Sequence, residues 1–263
     1  MIEMTQRPEK REKSIIDMML SNTKSKTVDS ETLLKTVQNR IKDSLKNGYQ
    51  YANIVDESEK FLRKHTFQTL EIAVLYVDLV GSTKMSLKLP PAKLSIIISS
   101  FVQEMSYLIS QHGGFVLKFS GDAVIGYFVG KGSSLQAADN ALGCAESMLK
   151  IVKNGINPIL SKEKDIPKLG IKIGLDFGPA TVVQYGKDEK NSFVDLLGPS
   201  INMASKVQGV AKQNQIIAGH DIYERVHPSL QSSFKNITDG IPGWTFTSKF
   251  SKKIYHVYAY KTN

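Results

Sequence analysis

The spacing of apolar positions divides the chain into a polar, helix-prone lead and a β-rich body. In "SETLLKTVQNRIKDSLKNG", Leu34, Val37, Ile41 and Leu45 recur three and four residues apart, which predicts an amphipathic helix capped at Asp29 or Ser30 and ended by Gly48. The shorter apolar cluster "SIIDMML" ahead of it suits a segment packing on its own domain or on a dimer mate better than a membrane-surface helix. From Glu71 the texture changes. "EIAVLYVDLV" is a short apolar run of the kind that forms a strand in a sheet centre. A helical pattern follows, opened by Pro90-Pro91 and closed by Gly113-Gly114. Then "FVLKFSGDAVIGYF" predicts a hairpin bent at Ser120-Gly121. A second helix is expected at about 135–152, then the loop "KNGINPILSKEKDIPK" and a strand in "LGIKIGLDFG". Short strands near "PATVVQYG" and "NSFVDLLG", a helix from about Pro199 and a last strand "IYHVYAY" complete the pattern. The order predicts an α+β protein. Its core is a ferredoxin-like βαββαβ unit with extra strands and helices over residues 66–263, preceded by a helical extension over 1–65.

Composition narrows the classes. No stretch approaches the roughly 20 apolar residues of a membrane span, and the opening "MIEMTQRPEKREKS" is too charged for a secretory signal. A cytoplasmic protein is therefore expected. The single cysteine, Cys144, excludes an internal disulfide and, among apolar helix formers, is expected as a buried thiol. A net charge of +9 favours an anionic partner. The lysines are scattered, without a basic stripe interleaved with aromatics, so a nucleotide is expected rather than nucleic acid.

Charges inside the apolar runs carry the chemistry. Asp78 ends the first strand and Asp122 follows the Gly121 bend. Either alone is an ordinary turn-capping aspartate. In a βαββ arrangement, however, the two positions are neighbours, and paired carboxylates form an oxygen site for Mg²⁺ or Mn²⁺. Between the first strand and its helix, Gly81, Ser82 and Thr83 offer backbone N–H groups and hydroxyls to phosphate oxygens. No Walker or GxGxxG motif is present. A third patch, "FVDLLGPSINMASKVQGVA", has Asp195 at a strand end and Asn202 and Lys206 four residues apart on one helix face. The five histidines show no ligand-like spacing.

Taken in order, "YVDLVGST", "KFSGDAVIGYF" and "DLLGPSINMASK" resemble the signature of the class III nucleotidyl cyclase catalytic domain, over about 71–260. The resemblance implies a head-to-tail homodimer with the nucleotide between subunits. It implies that Asp78 and Asp122 hold two divalent cations, and that Lys118 and Asp195 of the other subunit read the base. A lysine donor and a carboxylate acceptor suit adenine, so the implied substrate is ATP and the product cyclic AMP. Guanylate cyclase is disfavoured by the same pair. Asn202 corresponds to the ribose-positioning residue. Lys206 stands where the family has an arginine, which removes the bidentate fork. A Val-Lys-Gly segment near the C-terminus is missing; Lys249, Lys252 and Lys253 are the alternatives for its phosphate-contacting lysine. The rival expectation is a degenerate cyclase-like module that binds nucleotide or dimerises with little turnover. Residues 1–65 are expected to dimerise the protein or to dock a regulatory partner.

Overall fold

The computed structural model describes residues 30–47, 55–130, 132–163, 166–186, 188, 191–248 and 251–262. "SIIDMML", the cap position Asp29, the helix-ending Gly48 and Lys249 lie outside them. The chain divides into two units, residues 1–33 and 34–263; the packing described below concerns the second. Helix α1 (Ser30–Asn47) buries Val37 and Ile41, and Arg40 grips the buried Glu104 carboxylate through two hydrogen bonds of 2.7 and 2.6 Å. Helix α2 (Asp56–Arg63) leads into β1 (Thr69–Leu79). There follow α3 (Ser82–Lys88), α4 (Pro91–Gln111), β2 (Phe115–Ser120), β3 (Ala123–Val129) and α5 (Ser134–Ile151). After β4 (Ile171–Tyr185) and β5 (Phe193–Leu197) come α6 (Pro199–Val210), β6 (Gln215–Gly219), β7 (Phe234–Asn236) and β8 (Val257–Tyr260).

Among the described residues the strands form one sheet in the order β2-β3-β1-β4-β6-β8-β7, with β5 also on β4. The β2-β3-β1-β4 portion, with α4 and α5 as crossovers, is the expected βαββαβ core. Side-chain alternation gives the sheet two faces. Val77, Val124 and Phe128 belong to the face that carries α4 and α5, where Gly126 leaves room for Ile109: an added Cβ would meet Ile109 Cδ1 at 2.8 Å. On the opposite face Ile72, Val74, Ile125 and Tyr127 pack with Leu62 of α2, Ala204 of α6, and Val194 and Leu196 of β5.

Several features differ from the expected pattern: β6 and β7 lie where no strand is expected, and the last strand covers only Val257–Tyr260 of "IYHVYAY". "LGIKIGLDFG" and "PATVVQYG" are one 15-residue strand, not two. Pro179 is tolerated inside it because β6 pairs only with Lys172 to Leu175, and β5 only with Thr181 to Tyr185. The stretch between has β1 as its one neighbour among the described residues, and there a missing N–H costs no ladder bond. The loop expected after α5 begins instead as a π-helical turn (Val152–Ile156) and a short helix (Asn157–Leu160), which bury Ile156, Ile159 and Leu160. Cys144 is buried as expected.

The packing of α6 on β4 hinges on Gly174, where an added Cβ would run into the Ala204 carbonyl oxygen and the Gln208 backbone nitrogen. Both obstacles are backbone and cannot rotate away. Gly174→Ala is expected to cost about 1–3 kcal/mol by overpacking, read as a Tm lower by roughly 3–10 °C in a thermal melt.

Candidate active site

Antiparallel pairing of β1 with β3 sets Val77 opposite Val124, so the next residue of β1, Asp78, meets the β2–β3 turn that carries Asp122. The Asp122 carboxyl lies near enough to Asp78 to act on its charge. Burial first, and then the charge of Asp122, raise the Asp78 carboxyl above the ordinary aspartate range. Asp122 Oδ2 is buried and has no hydrogen-bond partner. A buried carboxylate oxygen without a donor is costly. Two such acidic groups with one orphan oxygen fit a hard divalent cation, which would neutralise the pair and take up that oxygen. Among the described residues no group of three or more His, Cys, Asp or Glu side chains forms a fuller metal site. The histidines fall where side-chain or backbone partners satisfy them, as with His112 on Ser147 (3.0 Å).

Gly81 follows at φ +79°, a left-handed conformation that favours glycine, and turns the chain from β1 into α3. Ser82 and Thr83 open that helix.

Across-strand partners share a face, and Ile125 is opposite both Tyr76 and Lys118. Asp78, two residues beyond Tyr76, and Lys118 therefore belong to the same face of the sheet. The C-terminal part of β4 and β5 lie over this face, burying Val194 and Leu196 among Leu117, Ile125 and Tyr127. This placement brings Lys118 to Asp195: Nζ donates to Oδ2 at 2.5 Å. The lysine side chain is 38% exposed and the aspartate 17%, so solvent weakens the pair and its net contribution to stability is small. Asp195 Oδ1 also accepts from the Leu196 N–H at 2.8 Å, which fixes the carboxylate. Phe193 and Leu197, alternating with Asp195 on the outward side of β5, are 61% and 60% exposed.

Helix α6 places Asn202 and Lys206 outward, one turn apart, while Ala204 and Val207 are buried. Lys206 Nζ sits 4.1 Å from the centre of the Phe246 ring, a cation–π contact that restricts the ammonium. Phe246 is held edge-on by Trp244, whose indole N–H donates to the Tyr255 carbonyl at 2.8 Å. Tyr255 donates its hydroxyl to the fully buried Asp176 at 2.6 Å, anchoring the C-terminal segment to β4. Lys252 and Lys253 lie exposed in the turn between Thr247 and Ile254.

Two residues of this cluster escaped the sequence reading. Gln208 is only 8% exposed, and its Nε2 donates to Asp78 Oδ2 at 3.3 Å. A polar residue on the Ala204–Val207 side of α6 is the signal that could have marked it. Phe246 carries no local signal, since its contact with Lys206 spans forty residues of chain.

A family model described as the adenylate and guanylate cyclase catalytic domain matches residues 65–241. A cytidylate cyclase of Escherichia coli is 23% identical over 194 residues, 70% of this chain and 42% of that protein. A uridylate cyclase of Rhodovulum sp. is 27% identical over 163 residues, 60% of this chain and 66% of that protein. The chain thus spans less than two thirds of either relative. The crystal structure of the adenylyl cyclase CyaB from P. aeruginosa has a TM-score of 0.61 at 21% identity, covering 74% of this chain and 96% of that one.

The raised Asp78 carboxyl makes a stability prediction. Its folded pKa lies above its unfolded value near 3.8, so the fold is penalised above the folded pKa and the penalty fades as pH falls toward 3.8. Without divalent cations, Asp78→Asn is expected to melt higher than the wild type at pH 7, the gap closing as the pH is lowered. Thermal melts across pH 4–7 check it; a gap that stays constant or widens on acidification refutes it.

Proposed function

This chain belongs to the adenylate and guanylate cyclase catalytic domain family, and we propose that it converts ATP to 3′,5′-cyclic AMP and pyrophosphate as a head-to-tail homodimer using two Mg²⁺ or Mn²⁺ ions. The observation that carries the reading is the coexistence of two polar devices on one sheet face. One is a carboxylate pair with an unpartnered oxygen, and the other is a lysine–aspartate pair poised to read a base.

Asp78 and Asp122 would hold the cations, and Gln208 would keep the Asp78 carboxylate oriented. Bound there, divalent cations lower the pKa of the ribose 3′-hydroxyl and offset phosphate charge. The backbone N–H groups of Gly81 to Thr83 and the two hydroxyls face the phosphates. Asn202 positions the ribose. Lys206 supplies positive charge at the α-phosphate without the fork of an arginine, and the Phe246 ring directs its ammonium in compensation.

Base choice follows from Lys118 and Asp195. Adenine offers an acceptor, N1, beside a donor, the 6-amino group. It can take the lysine N–H and give its own to the aspartate, replacing each partner's lost bond. Guanine presents N–H and carbonyl in the reverse order, so both protein groups would face their own kind, a mismatch that discriminates strongly in a desolvated site. The exposed Phe193 and Leu197 on either side of Asp195 support a partner subunit over this edge.

A second reading has an observation of its own. Cytosine N3 and its 4-amino group repeat the acceptor–donor order of adenine, and a relative named as a cytidylate cyclase is among the matches. The Lys118–Asp195 pair alone therefore admits CTP as well as ATP and excludes GTP and UTP.

Purified protein incubated separately with ATP, CTP, GTP and UTP plus Mn²⁺, with chromatography of the products, is expected to yield cyclic AMP. Cyclic CMP as the main product favours the second reading, and no product from any nucleotide rejects catalysis in favour of a degenerate module. Asp122→Ala is expected to lower turnover at least a hundredfold while leaving the melt cooperative. Lys118→Glu combined with Asp195→Cys should move preference toward GTP in the same assay; unchanged selection of ATP or CTP would show that the base is read elsewhere.

A further inference from the structure

Outside this cluster, a cavity of about 430 Å³ opens between α3 and the segment that leads into β4. That volume is in the range of small-molecule sites. Its apolar lining comes from Val80, Met85 and Leu89 on one side and Ile166 and Pro167 on the other. Three exposed lysines also line it: Lys84 and Lys88, one helical turn apart on α3, and Lys168 on the opposite segment. Like charges at that helical spacing repel. Among the described residues none of the three has a carboxylate partner.

An apolar lining with unmatched ammonium groups fits one ligand chemistry, an anionic head on an apolar body. We infer that this cavity binds a small amphipathic anion, an acyl or aryl phosphate or carboxylate, with its head between Lys84, Lys88 and Lys168 and its body against Met85, Leu89 and Pro167. Lysine ammonium groups bind phosphate as point charges, and three of them neutralise a dianion. The apolar body supplies burial that inorganic phosphate lacks.

The cavity abuts the candidate active site. Val80 and Gly81, which form its wall, directly follow β1 and its Asp78. The Val80 N–H donates to the Gly170 carbonyl at 2.8 Å, tying this wall to the lead into β4. A ligand bridging α3 and Lys168 clamps the turn that presents Gly81, Ser82 and Thr83, so binding is expected to change the KM for the nucleotide. That coupling rests on the proposed cyclase reading; the binding itself does not.

The test is calorimetric titration of the full chain with octyl phosphate below its critical micelle concentration, with inorganic phosphate and octanol run in parallel. Saturable binding of one octyl phosphate per chain is expected, at least tenfold tighter than either parallel probe. Lys84→Gln with Lys168→Gln should weaken it tenfold or more without changing the melting temperature, and Lys84→Arg with Lys168→Arg should retain it. Binding should survive Asp122→Ala and an excess of ATP. The inference is overturned if octyl phosphate does not saturate, if the glutamine variant binds like the wild type, or if ATP displaces it, which would assign it to the nucleotide site. Octyl phosphate binding in a protein that cyclises no nucleotide would sustain this site while rejecting the cyclase reading.

Discussion

The site depends on forcing two carboxylates together where a strand end meets a hairpin turn. β1 and β3 pair over six residues, and hydrophobic burial on both faces fixes their register. A one-residue slip would turn Ile72 and Val74 off the face packed by α2, α6 and β5, so the packing holds Asp78 beside Asp122 against their mutual repulsion. The Gln208 amide offsets part of the cost by donating to Asp78. What remains, the buried Asp122 oxygen without a donor, is local free energy that a cation can recover. Stability of the sheet thus supplies the strain that makes the site receptive.

A second constraint places the Lys118–Asp195 pair. β4 runs for 15 residues and changes neighbours midway, from β6 to β5, around Pro179. Its far half and β5 lie on the face opposite α4 and α5, which brings Asp195 to Lys118. Each charge is then satisfied without substrate. Under the proposed reading, a base must offer an acceptor and a donor in matching order to replace what the pair loses.

Helix α6 joins the two devices. Its Ala204–Gln208 side packs so closely on Gly174 that it delivers Gln208 to Asp78, while its outward side carries Asn202 and Lys206. The Phe246 contact gives the Lys206 ammonium a fixed direction. On the other side of Asp78, the lysine-lined cavity shares the Val80–Gly81 wall with the phosphate turn. Its wall begins at Val80, two residues beyond Asp78, and the three lysines that line it have no carboxylate partner among the described residues.

The sequence by itself determined the elements and the acidic pair. Alternating and helical apolar spacing follow from local geometry, so the helix opened by Pro91, the hairpin bent at Gly121 and the βαββαβ order were legible, as were Asp78 and Asp122 as neighbours. Lys118, Asp195, Asn202 and Lys206 were legible as candidates because each is a charge or amide interrupting an apolar pattern. Only the tertiary structure decided that two expected strands are one β4, because the tolerance of Pro179 depends on which strands flank it. It alone joined Lys118 to Asp195, Lys206 to Phe246 and Gln208 to Asp78, contacts that span 77, 40 and 130 residues. Such pairings arise from where packing carries whole elements, and residue spacing along the chain holds no record of it.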